Sequence, residues 1–242
     1  MAAFHVITEV PSTLLQGRNG EAELELERVF RVEVATTVTP LQDLNPQGHV
    51  YYPDLVAALV EKFNFQVFPT KPEDFNEQTG ITFQSGKFEG GTIEQVQIFT
   101  HGILLDTRIS TDASEELLHD TLVWAKATLG LHYEDNMIKR EALVSQLTFE
   151  SSLSLNKLNP VLADVSKFVT DNLPSNIGQK PSYETTGVVI NIDPTASKLT
   201  PGMFSIERRA ELPFSDNKYF SNAPLSTKDH VAALEELEKA LL

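Results

Sequence analysis

The chain has 242 residues, 41% of them hydrophobic, no cysteine, and 34 acids against 19 bases for a formal charge of −15. The absence of cysteine excludes disulfides, thiolate metal sites and cysteine nucleophiles, and it suits a reducing, cytoplasmic address. The acidic balance opposes direct nucleic-acid binding, which draws its affinity from Lys and Arg on phosphate. The longest apolar run, "LVAALV" at 55–60, is too short to cross a membrane.

At the N-terminus, "MAAFHVITEVP" carries no basic leader ahead of an apolar stretch, so no secretory signal is expected. Residues 23–34, "ELELERVFRVEV", place Leu24, Leu26, Phe30, Val32 and Val34 on one face and Glu23, Glu25, Glu27, Arg31 and Glu33 on the other. Only a strand of period two sorts them so, and a strand with one solvated face belongs to an antiparallel sheet. "DLVAALVEKF" then shows helical spacing in Leu55, Val56, Leu59, Val60 and Phe63, with Asp54 suited to cap it. Short strands are expected at 65–68 and 81–88.

"IFTHGILLDTRI" at 98–109 brings a histidine and an aspartate close in sequence, and a hairpin turn centred on His101 and Gly102 accounts for it. That register sets Ile98 opposite Leu105 and Gln95 opposite Arg108, with apolar and polar residues sorted to separate faces. Asp106 then lies four residues along the strand from Gly102, about 13 Å away at roughly 3.3 Å per residue, out of reach of a His–Asp dyad.

The helix over 113–129 takes Asp112 and Glu115 as its capping pair and buries Leu118, Leu122, Ala125 and Leu129, with His119 toward its polar side and Gly130 at its end. Glu116 and His119 share the Glu-x-x-His spacing of di-iron bundles, but the single copy leaves no metal site. A strand follows over 141–150. A helix then opens on Asn159 and Pro160, with Val161, Leu162, Val165, Phe168 and Val169 as its buried stripe. Further strands are read at 185–192 and 203–210. Ser226 with Asp229 opens a terminal helix whose apolar side is Val231, Leu234, Leu237 and Leu241.

About four helices interspersed with eight or nine strands define an α+β fold with a largely antiparallel sheet. One continuous domain over 1–242 is expected, with a possible subdivision near 130–140, and no fixed-period repeat is evident. "GITFQSGKF" at 80–88 misses the phosphate-loop pattern in glycine spacing and in Phe88 where Ser or Thr must stand. No cofactor or metal is implied.

Adjacent Arg208 and Arg209 in a strand must point to opposite faces, so one of them turns inward and needs a carboxylate such as Glu33 or Asp193, or else faces a pocket. With Lys218 and Tyr219 they form the candidate binding surface of 204–220, and Tyr51 and Tyr52 in "HVYYP" form a second candidate. Without a catalytic constellation, these residues point to a non-enzymatic soluble adaptor or subunit, with a protein partner or self-association, no membrane and no direct nucleic-acid contact. The alternative is a hydrolase or transferase that holds an anionic small molecule on Arg208 or Arg209.

Overall fold

The computed structural model describes residues 24–38, 41–48, 50–152, 154–174, 181–195 and 202–241. The N-terminal stretch 1–11 and Glu23 lie outside the described residues, as do the side chains of Leu24, Glu25 and Phe30. The elements run β1 (Leu24–Val38), α1 (Leu41–Leu44), α2 (Tyr52–Phe63), β2 (Ile81–Phe88), β3 (Gly91–Phe99), β4 (Gly102–Thr107), α3 (Thr111–Leu129) and β5 (Ile138–Ser151). They continue with α4 (Pro160–Asp171), β6 (Gly187–Ile190), β7 (Phe204–Arg208), β8 (Lys218–Ala223) and α5 (Thr227–Leu241). The fold is α+β with an antiparallel sheet, as the alternating patterns predict.

The chain forms two compact units. The first takes in Val29–Gln146 and Pro224–Thr227, and the second is built chiefly from Leu147–Ala223 and 228–241. The units part within β1 and β5, not in the 130–140 segment. Strand order is β2-β3-β4-β1-β5 in the first unit and β5-β8-β7-β6 in the second.

In the first unit the period-two alternation is realised as read. Val32 and Val34 are fully buried, while Arg31 and Glu33 take the other face. Val34 opposes Leu105 and Glu33 opposes Asp106, so the core side of β1 meets the core side of β4. Leu118 and Leu122 of α3 and Val56, Leu59 and Phe63 of α2 are buried in the same cluster. The chain leaving α2 turns through Asn64 in the left-handed region and then bridges the outer edge of β2. Backbone bonds run from Val67 to Gln84 and back, at 3.2 and 2.8 Å. A Cβ on Gly86 would come within 2.5 Å of the Phe65 ring, so glycine leaves the space in which Phe65 packs against this strand.

The second unit repeats the element order of the first: long strand, short helical turn, amphipathic helix, three strands, long helix. The match extends to residues. "LQDLNP" at 41–46 recurs as "LNKLNP" at 155–160, and "ISTD" at 109–112 recurs as "LSTK" at 225–228. No fixed-period repeat is evident in sequence because only these short junctions are preserved, while the loops between them differ in length.

The structure corrects several local expectations. α2 begins at Tyr52 with Tyr51 at the cap position, so Asp54 lies in the first turn. α3 is capped by Ser110, whose hydroxyl accepts from the Ala113 N–H at 3.3 Å, in place of Asp112. The hairpin pairs Ile98 with Ile103 and Phe99 with Gly102, so Thr100 and His101 occupy the turn. The expected register and the observed one sort side chains to the same faces, because a two-residue shift preserves parity. Residues 65–68 contribute one isolated bridge, not a strand. β8, unread in the sequence, alternates buried Tyr219, Ser221 and Ala223 with half-buried Lys218, Phe220 and Asn222.

The largest correction concerns α4. None of its residues is buried, and the stripe of Val161, Leu162, Val165, Phe168 and Val169 faces solvent. Its half-buried positions are the polar Ser166 and Thr170, and the Thr170 hydroxyl accepts from the Tyr183 N–H at 3.0 Å. Periodicity identifies the stripe, but it does not decide which way the helix turns.

Candidate functional site

Two neighbouring features of the second unit carry chemistry. The first is built on the alternation of β7 and β8. Arg208 and Tyr219 are paired across the two strands on the face shared with buried Ile206 and Ser221, and Arg209 and Lys218 fall on the opposite face.

Arg208 is the inward-turned arginine, with a side chain only 4% exposed. Its Nε–H donates to Thr185 O at 3.0 Å and one Nη1–H to Phe214 O at 2.7 Å. Nη2 donates to Ser154 Oγ at 3.0 Å and to Glu184 at 3.2 Å. The guanidinium stacks 4.5 Å above the Phe214 ring and lies 5.8 Å from that of Tyr219. The required carboxylate is Glu184, not Glu33 or Asp193. Four of its five N–H donors are thus held by the protein's own oxygens, so the fork ties three loop segments to the sheet.

Tyr219 is buried beside it. Its hydroxyl accepts from the Leu155 N–H at 3.3 Å and donates to Asn217 at 3.2 Å, and burial pushes the phenol above its ordinary value. On the other face, Arg209 meets Glu27 at 2.6 Å, and Lys218 meets Glu27 at 2.9 Å and Glu150 at 3.5 Å. Burial pushes the Glu27 carboxyl up, but Lys218 and Arg209 outweigh it and hold the group below its ordinary value. The hydrogen bond to Glu27 raises the Lys218 ammonium in turn. Tyr51 and Tyr52 belong to the first unit. Tyr51 is exposed at the start of α2, while the Tyr52 hydroxyl donates to the Glu77 carboxylate and its ring tilts against Phe75 at 6.0 Å.

Ser221 stands within reach of a histidine. His230 Nε2 lies 2.7 Å from Ser221 Oγ, but both are fully buried and the Ser221 hydroxyl donates to Ser205 O at 2.9 Å. A nucleophile needs an approaching substrate, and this pair has no access. In the first unit Asp106, also buried, accepts from Arg31 at 2.8 Å, and burial raises its carboxyl above the ordinary value against the pull of Arg31.

The second feature is the outward stripe of α4. Phe168 is 68% exposed and Val165 52%, whereas Leu59 and Phe63 of α2 are 6% and 4% exposed. Asp164 and Asp171 flank the α4 stripe, and Lys167 pairs with Asp171 along the helix. Helical spacing marks every residue of this stripe and predicts a buried face, which the fold instead turns to water.

No family model and no curated protein matches the chain. Among solved structures, Methanococcus jannaschii TBP is similar at 15% identity and a TM-score of 0.43, over 91% of this chain and 98% of that one. The expectation of no direct nucleic-acid contact does not stand. The physical reason is that a net charge of −15 is a sum over the chain and does not fix where Lys and Arg lie on a surface. At this identity the neighbour's ligand is not transferred to this chain. Among the described residues no helix is long and apolar enough to cross a membrane.

Proposed function

We propose that this chain is a non-enzymatic interaction protein of the cytoplasm, a subunit or adaptor that docks a partner on the outward stripe of α4. The observation that carries the reading is a helix with an apolar face turned to water and a polar face turned to the protein. A helix of 12 residues is marginal in water alone, and a contiguous exposed apolar stripe rimmed by polar groups is characteristic of a docking surface. Asp164 and Asp171 on its rim, in a chain of charge −15, favour an apolar groove edged with Lys or Arg. The cysteine-free composition supports a reducing compartment.

Cross-linking and capture from native lysate, comparing wild type with Phe168→Asp, tests the reading. Proteins held by the wild type and released by the variant, with an unchanged unfolding midpoint, are the expected result. An identical captured set from both would sink it.

A further inference from the structure

The outer strands of the two units differ. In the first unit the outer edge of β2 is bridged by Val67, so its backbone groups are partly satisfied within the chain. In the second unit β6 is the last strand in the order, and among the described residues no strand pairs with its outer edge. The Arg208 N–H donates to Thr186 O at 2.8 Å, which makes that pair a hydrogen-bonded one. By alternation Val188 and Ile190 also bond to β7, and the N–H and C=O of Gly187 and Val189 point outward. Val189 is 58% and Ile190 61% exposed.

We propose that β6 is a self-association strand, which pairs antiparallel with β6 of a second copy in a register centred on Val189. The stretch "TTGVVINI" at 185–192 is uncharged and rich in β-branched residues, the composition that makes an open edge a template for another strand. A second copy brings a second charge of −15, so like-charged bodies must meet where the surface is neutral. The Val189 register meets that demand. It sets Ile190 opposite Val188, Ile192 opposite Thr186 and Asp193 opposite Thr185, so no charged residue opposes another. Gly187 keeps β6 seated while this happens, since a Cβ there would lie 2.8 Å from Ile206 O. The inference stands on the sheet edge and is independent of α4.

Analytical ultracentrifugation of the full chain, as wild type, Val189→Lys, Ile192→Lys and Phe168→Asp, tests it. Expected are a concentration-dependent dimer in the wild type and in Phe168→Asp, and loss of the dimer in both lysine variants. Two lysine sites guard against one variant misfolding, and Phe168→Asp separates this proposal from the α4 reading. Val189→Cys, in a chain otherwise free of cysteine, adds a direct readout. The paired Cα atoms would lie about 5.5 Å apart, within disulfide reach, so oxidation should give a covalent dimer. A wild type that stays monomeric at every concentration, a dimer indifferent to both lysines, or no disulfide from Val189→Cys overturns the proposal.

Discussion

The Thr227 backbone N–H donates to the Thr111 hydroxyl at 2.8 Å, and the Thr111 N–H donates to the Thr227 hydroxyl at 3.0 Å. Each threonine opens a long helix, α3 or α5, and each follows a serine in the repeated "ST" junction. The first N–H groups of a helix have no partner within it, and here each helix start supplies the acceptor that the other lacks. Both residues are buried, so water does not substitute.

Replacing either hydroxyl by a methyl group orphans a buried donor. Thr111→Val and Thr227→Val should each cost about 1–3 kcal/mol in urea unfolding, and Thr111→Ser should restore most of the loss. A valine variant as stable as wild type would mean these bonds contribute nothing.

Truncating the two matched helices should give opposite results. Leu59→Ala or Phe63→Ala opens a cavity in the first unit and should cost about 2–5 kcal/mol. Val165→Ala or Phe168→Ala in α4 removes atoms already in water and should change stability by less than about 0.5 kcal/mol. Thermal or urea unfolding of the four variants checks the contrast.

Arg208 does not tolerate its nominal equivalent. Arg208→Lys offers a compact ammonium where a planar fork serves Thr185, Phe214, Ser154 and Glu184, and Arg208→Met leaves Glu184 without its cation. A loss on the order of 3 kcal/mol is expected for Arg208→Met, and a smaller one for Arg208→Lys. The loosened 211–217 segment should exchange amide hydrogens faster in both.

Asp106 and Glu27 should tilt stability with pH in opposite directions. Burial raises the Asp106 carboxyl above its ordinary value, against the pull of Arg31. The folded chain therefore holds that proton more tightly than the unfolded one. The contribution is full below the ordinary aspartate range and is lost as pH climbs through the folded value. Glu27, lowered despite its burial by Lys218 and Arg209, contributes above the ordinary glutamate range and loses that contribution as pH falls through its folded value. Relative to wild type, Asp106→Asn should gain stability as pH rises across the carboxylate range, and Glu27→Gln should lose it. Urea titrations between about pH 4 and 7 read both slopes.

Much of this was legible in the residues. The alternation of Val32 and Val34 with Arg31 and Glu33, the α3 stripe of Leu118, Leu122 and Ala125, and the inward turn of one of two adjacent arginines all follow from side-chain period alone. These are properties of a single element, and each element's geometry fixes its own periodicity. Capping was less legible, because Ser110 and Asp112 are both competent caps and tertiary contacts at Thr111 select between them.

Relations between elements came only with the tertiary structure. The partner of Arg208 is Glu184, brought beside it by the pairing of β6 with β7, which no spacing in the chain encodes. The hairpin register shifted by two without moving a side chain to the wrong face, so hydrophobic sorting was blind to it. α4 carries a stripe of the same kind as that of α2 and turns it the other way. An amphipathic pattern states that an apolar face must be covered, and only the packing around it shows whether the chain's own core provides the cover.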